Sequence, residues 1–213
     1  AGTMKGEYSR SYTIGLDATP VDNFHVTGNL YYIAINDRLG STKTYNVDPS
    51  NTALVDALKY YNLESATSLS YYANLYNTQT FGGDFSADYT LNTHRYGKFR
   101  FAMGINFSDN EIRSARSNLV NEYTKEMVLH AAPKNREQIS INWQYGKWSV
   151  FAQEMRYGSI IYMAAPTGPG GVPFEQNPAF ITYLEVDYKV LPKWTIGVGA
   201  NNVGNKYPTR VPT

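Results

Sequence analysis

The chain has 213 residues, a formal net charge of +1, 17% charged residues and no cysteine. That balance supplies no basic field for nucleic acid, and the lack of cysteine excludes a disulfide scaffold, a thiolate zinc knot and a thiol nucleophile. Aromatic residues make up 15% of the chain, with 19 tyrosines, more than average soluble composition supplies. No apolar run approaches the roughly 18 residues of a membrane helix. The mean hydropathy of −0.43 does not test for a β-barrel, whose alternating lipid and lumen residues average out. The opening AGTMKGEYS has no basic start, apolar core or cleavage site, so no signal peptide is read there.

Between Tyr8 and Thr19, residues Tyr12, Ile14, Leu16 and Ala18 alternate with Ser11, Thr13, Gly15 and Asp17, the period of a strand with two different faces. After the breaker TPVDN, Phe24 to Arg38 reads as a second strand. Its apolar parity changes between Phe24/Val26 and Ile33/Ile35, and a β-bulge near Gly28 would repair it. A long connection runs from Gly40 to about Ser70. Within it Ser50 or Asn51 is an N-cap for a short helix carrying Ala53, Leu54, Ala57, Leu58 and Tyr61.

The third strand, about Tyr71 to Leu91, sets Phe85, Ala87, Tyr89 and Leu91 against Asp84, Ser86, Asp88 and Thr90. The fourth places Phe99, Phe101, Met103, Ile105 and Phe107 on one face. A second long connection, Asp109 to Arg136, has a weak helical pattern at Leu119, Tyr123 and Met127. Strand five sets Ile139, Ile141, Trp143 and Tyr145 against Gln138, Ser140, Asn142 and Gln144. Strand six starts at Trp148, and the parity of Trp148 and Val150 would put Glu154 and Arg156 on the apolar face. Either a bulge intervenes or the two emerge near a membrane rim. A third connection, Gly158 to Phe180, is too rich in glycine and proline to be regular. The last hairpin alternates Leu184, Val186, Tyr188 and Val190 with Glu185, Asp187 and Lys189, then Trp194, Ile196, Val198 and Ala200 with Thr195, Gly197 and Gly199.

Short turns near Asp22, Arg95, Gly146 and Pro192 fall on one rim, and the long connections fall on the other. Phe24, Tyr89, Phe99, Tyr145, Trp148, Tyr188 and Trp194 lie beside the short turns, where amphipathic rings suit a headgroup level. Alternation alone does not separate a soluble sandwich or lipocalin-like barrel from a membrane wall. One-sided loops, the aromatic belt and lysine-poor polar faces favour the membrane wall.

The segment ANNVGNKYP resembles the asparagine-rich, tyrosine-proline ending of the second-to-last strand in TonB-dependent outer-membrane receptors. YYIAINDRLG resembles their tyrosine-rich strand that ends in an Asp-Arg pair, and YNTQTFGGDFSADY their threonine- and glycine-bearing strand that re-enters the barrel. The resemblance covers about Tyr8 to Pro208. It implies an all-β, antiparallel up-and-down meander of about eight strands, a segment of a barrel of about 22 strands. It also implies a place in the outer membrane of a Gram-negative bacterium, and import of a scarce solute such as an iron-siderophore chelate or cobalamin, driven by TonB through an N-terminal plug. Neither a plug nor a TonB box is found, and the chain ends at VPT without a closing aromatic-ended strand. Residues 1–213 therefore read as a partial barrel. The alternative is a self-contained eight-stranded barrel, membrane-embedded or soluble, with a binding or structural role.

Nothing reads as catalytic. His25, His94 and His130 are far apart in unlike contexts, so no metal site is expected. GPGG at 168–171 lacks the lysine and hydroxyl of a phosphate loop, no nucleophile elbow occurs, and Asp84 with Asp88 reads as lumen polarity. No enzyme activity, cofactor or nucleic-acid partner is expected; the expected partners are outer-membrane lipid, lipopolysaccharide and a small chelate. Loops on a rigid scaffold gather binding groups. In or beside the long connections Arg38, Tyr45, Tyr71, Tyr72, Arg113, Arg116, Tyr157 and Tyr162 combine cations and rings that suit an anionic or ring-bearing chelate.

Overall fold

A computed structural model describes residues 4–164 and 172–210. The first hairpin is β1 (Tyr8–Val21) and β2 (Phe24–Ser41), and the first long connection carries β3 (Tyr45–Asn46), α1 (Thr52–Tyr60) and β4 (Ser68–Leu69). A second hairpin, β5 (Tyr72–Thr93) and β6 (Gly97–Ala115), leads through α2 (Glu122–His130) to a third, β7 (Asn135–Tyr145) and β8 (Trp148–Tyr157). Then come β9 (Ile160–Ala164), β10 (Val172–Gln176), β11 (Ala179–Leu191) and β12 (Trp194–Asn201).

Eight of these strands form one sheet in the order β1-β2-β5-β6-β7-β8-β11-β12, each antiparallel to its neighbours. The meander follows from the four short turns, which leave neighbouring strands no other partner. At the second turn Gly97 has φ +89°, a conformation a side chain resists. β1 and β12 stand at the two ends of the order and do not pair with one another. A self-contained eight-stranded barrel requires that pairing, so it is not formed here. Among the described residues both end strands leave a ladder of backbone groups unmatched.

Register carries each face across the whole sheet. Ala18 pairs Val26, Val26 pairs Ala87, Ala87 pairs Met103 and Met103 pairs Ile139, so the apolar set stays on one side. Thr27, Ser86 and Gly104 share a row on the other side. The bulge expected near Gly28 is absent: Gly28 pairs regularly with Leu16 and Phe85. The irregularity lies higher, between Ile35 and Leu39, where Asp37 takes φ +53°. Ile33 and Ile35 therefore stay on the polar face.

Strand six shows no bulge either. Glu154 pairs Ile139 and Thr182, and Arg156 pairs Glu137 and Phe180, so both side chains fall on the apolar face. The third connection is more regular than its composition suggests, since β9 and β10 pair as a hairpin from Ile160 to Gln176. Its GPGG at 168–171 lies outside the described residues.

Strands of 22 and 19 residues exceed the roughly 9–11 that a bilayer crossing needs, so β5 and β6 carry the sheet well past a membrane on the long-connection side. There the small core sits, with Leu75, Tyr76 and Val120 buried against Ala73, Ile112, Leu119 and Val128. Among the described residues the rest of the sheet has no buried apolar cluster. Ile14, Leu16, Ile139, Ile196 and Val198 are all exposed.

Candidate functional site

On the polar face, side chains pair from strand to strand. The Thr27 and Ser86 hydroxyls lie 2.7 Å apart, Asn106 Nδ2 donates to Asp84 at 2.6 Å, and Thr80 Oγ1 donates to Asn110 at 2.6 Å. Nearer the short turns His25 sits between Asp17 (2.9 Å) and Asp88 (3.4 Å), and Arg100 reaches Asp88 at 3.0 Å. A neutral imidazole can donate to one carboxylate and an imidazolium to both, so His25 bridges β1, β2 and β5 by hydrogen bonding, and the Arg100–Asp88 ion pair adds β6. Asp84 and Asp88 thus have separate partners. Among the described residues, no group of three His, Cys, Asp or Glu side chains could hold a metal ion.

The long connections rise above the sheet as lobes joined by backbone. Thr42 N–H donates to Tyr71 at 2.9 Å, Lys43 N–H to Leu119 at 2.8 Å and Arg116 N–H to Leu75 at 3.0 Å, so the first and second lobes are stitched together. Asn74, almost fully buried, accepts from Lys5 N–H at 2.8 Å and donates to the carbonyls of Lys5 and Asp37 at 2.9 and 2.5 Å, pinning the segment before β1.

Both helices start at an asparagine cap, the first of them at one of the two positions expected. Asn51 caps α1 by accepting from Leu54 N–H at 3.2 Å, and Asn121 and Thr124 form a capping box on α2. Just before α1, the Ser50 hydroxyl donates to Asp48 at 2.7 Å and holds that carboxyl below its usual range. α2 packs on β6 and β9, and neither helix has a fully buried residue.

Of the expected binding residues, Tyr45 and Tyr71 come together, stacked with centroids 6.3 Å apart and planes 17° off parallel. Lys43, which the sequence reading did not single out, lies 5.3 Å from the Tyr45 ring, and the Tyr45 hydroxyl donates to the Asn118 carbonyl at 3.1 Å. Arg116 is two residues from that anchor. Arg113 stands on the upper part of β6, and among the described residues neither arginine's guanidinium has an ion pair or hydrogen bond. Arg38 lies at the top of β2 opposite Tyr76, and Tyr72 is exposed at the foot of the first lobe.

Tyr157 and Tyr162 belong elsewhere: Tyr157 ends β8 with Arg136 over its ring at 5.8 Å, and Tyr162 is on β9 opposite Phe174. The sequence reading also passed over Tyr60 and Tyr61, an edge-to-face pair 5.0 Å apart with both rings exposed. Their position at the end of the capped helix was the available signal. A pocket of about 490 Å³ between β6 and α2 is lined by Asn110, Glu111, Ser114, Ser117 and Lys125.

A long-stranded meander with one apolar and one hydrogen-bonded polar face, short turns on one rim and folded lobes on the other is the wall of a transmembrane β-barrel. A family model described as "TonB dependent receptor-like, beta-barrel" matches residues 1–203, and the chain belongs to that family. Its members are outer-membrane proteins of Gram-negative bacteria, so the apolar face is the outer wall and the polar face lines the lumen.

Solved structures agree on the fold. The FrpB iron transporter from Neisseria meningitidis (F5-1 variant, apoprotein form) superposes with a TM-score of 0.67 at 14% identity, over 98% of this chain and 29% of that one. The copper transporter OprC gives 0.64 at 13% identity, over 96% and 26%. The ferripyoverdine receptor of Pseudomonas aeruginosa, bound to ferripyoverdine, gives 0.63 at 15%, over 96% and 24%. The chain thus spans 24–29% of the length of these proteins. No curated protein sequence matches it.

Proposed function

We propose that this chain is part of the barrel of a TonB-dependent importer of about 22 strands, and that its lobes contribute to the extracellular mouth where a scarce solute is captured. The solute class we favour is a compact anionic or ring-bearing chelate such as an iron-siderophore complex, with cobalamin as a further candidate. Arg38, Tyr45, Tyr71, Tyr72, Arg113 and Arg116 are the residues put forward, with Tyr157 and Tyr162 at the more distant third lobe. Energy would come from TonB through a plug held in the lumen, and lipid and lipopolysaccharide would cover the outer wall.

One observation carries this reading. The stacked Tyr45–Tyr71 pair is anchored at the Asn118 carbonyl, two residues along the chain from Arg116, with Lys43 over its ring and the Arg113 and Arg116 guanidinium groups unengaged among the described residues. Rings held by packing and cations left free are the two halves of a site for an anionic aromatic chelate. In the full-length receptor, changing Arg113 and Arg116 together to alanine should lower solute binding and uptake at least tenfold, since two charge-assisted contacts are lost. Barrel insertion should be preserved. Unchanged binding in that double variant would remove the second lobe from the site.

A further inference from the structure

The outer wall carries a polar notch that the import reading does not use. Glu154 on β8 projects from the apolar face between Ile139 and the Thr182 hydroxyl, which donates to it at 2.6 Å. Among the described residues no cation pairs with it. Two residues along the same face, Arg156 spends one nitrogen on its neighbours: Nη1 donates to Asn135 at 3.0 Å and to Glu137 at 2.7 and 2.9 Å. Its Nη2 and Nε make no hydrogen bond among the described residues. The notch forms one end of a groove of about 620 Å³ on this face, whose lining includes Glu154 and Thr182 together with Tyr89, Phe101, Met103 and Ile139.

A carboxylate with one hydrogen bond and a guanidinium with free donors are complementary, yet they do not meet within one chain. An isologous contact needs such self-complementarity: a group i that meets j, while j meets i. A two-fold axis along the membrane normal brings two walls together at equal depth. Glu154 and Arg156 lie two residues apart on a tilted strand, which separates them in depth by roughly 5 Å, within the reach of an arginine side chain. We infer that the β7–β8–β11 wall binds a second copy of this chain, each Glu154 receiving the free edge of the other copy's Arg156 while the apolar groove beside them seats the partner's wall. This rests on the apolar face being the membrane face, and not on the solute.

The test uses the full-length receptor in lipid nanodiscs large enough for two barrels and in mild detergent, with mass photometry for the dimer and heat-modified gel mobility for barrel folding. The expected result is a dimer whose dissociation constant rises about tenfold or more in Glu154→Leu, while the variant barrel stays folded. Ile139→Cys, at an exposed site beside the notch, should form an intermolecular crosslink with a short bifunctional reagent. Leu16→Cys, on the same face of β1, should not. A wild-type receptor that stays monomeric at membrane densities, or a dimer indifferent to Glu154→Leu and crosslinked equally from both sites, overturns the inference and leaves lipid as the occupant. Loss of uptake in the double arginine variant above would not bear on it, because dimer mass is read without solute.

Discussion

On β6 the outward residues run Phe99, Phe101, Met103, Ile105 and Phe107, whereas on β8 they run Trp148, Val150, Ala152, Glu154 and Arg156. Eight residues of tilted strand separate the ends of the β6 series, about 20 Å along the membrane normal, close to the roughly 25 Å apolar band of such barrels. The uninterrupted apolar part of β8 covers about half of that. Alternation therefore sets which face a side chain occupies, and does not make that face uniform. Where the wall is apolar over the full band, lipid alone satisfies it; where it turns polar within the band, its groups need one another or a partner.

The largest effect should come from breaking the β6 side. Arginine at Met103 should cost about 2–4 kcal/mol if that site lies at the bilayer midplane. Arginine at Ile139, one strand over and directly beside Glu154, should cost less than half as much because it gains a counter-charge. Denaturant unfolding of the full-length receptor in lipid vesicles measures both. Equal costs would show that Glu154 does not set the local electrostatics of the wall.

A smaller effect compares two ion pairs at the upper wall. Glu137 holds Arg156 at 2.7 Å with both side chains about one-third exposed, and Asp109 holds Lys134 at 2.5 Å with both far more open. Removing Glu137 leaves a guanidinium beside lipid, so Glu137→Ala should cost about 1–2 kcal/mol, discounted from a fully buried pair for that exposure. Asp109→Ala should cost less than about 0.5 kcal/mol. Reversal of that order in the same unfolding assay would place the membrane boundary below Glu137.

The sheet was legible because its signal is a period of two sustained over long strands. All eight strands and the side on which the long connections lie could be read from it, and helices at Asn51 and near Tyr123 from apolar residues at helical spacing. What could not be read were choices made between strands. The parity change in β2 looked like a bulge at Gly28, but Ile33 and Ile35 tolerate the polar face and the shift comes only at Asp37. Glu154 and Arg156 suited either a bulge or a membrane rim; the register shows no bulge, and the pairing of Arg156 with Glu137 across β7 and β8 accounts for one of them. The β9–β10 hairpin was hidden by its glycine-rich middle. Site residues were legible by type alone: Tyr45 and Tyr71, 26 positions apart, needed the first lobe to fold before they could stack.

The subtlest contrast lies within the notch itself. Thr182 supplies the hydrogen bond to Glu154 found among the described residues, at 2.6 Å. Thr182→Val should therefore cost about 1 kcal/mol, the value of a partly exposed bond to a charged acceptor. Glu154→Leu should by itself stabilise the isolated barrel slightly, since an apolar group replaces a carboxylate on the lipid face. In the Glu154→Leu background the Thr182→Val change has no acceptor to orphan, and it should become neutral or mildly favourable. The double-mutant cycle, run under dilute detergent conditions where the barrel is monomeric, should thus show a coupling of about 1 kcal/mol between the two positions. If Thr182→Val costs the same in both backgrounds, the hydroxyl is doing something other than holding Glu154, and the notch on β8 and β11 would be two unrelated polar residues.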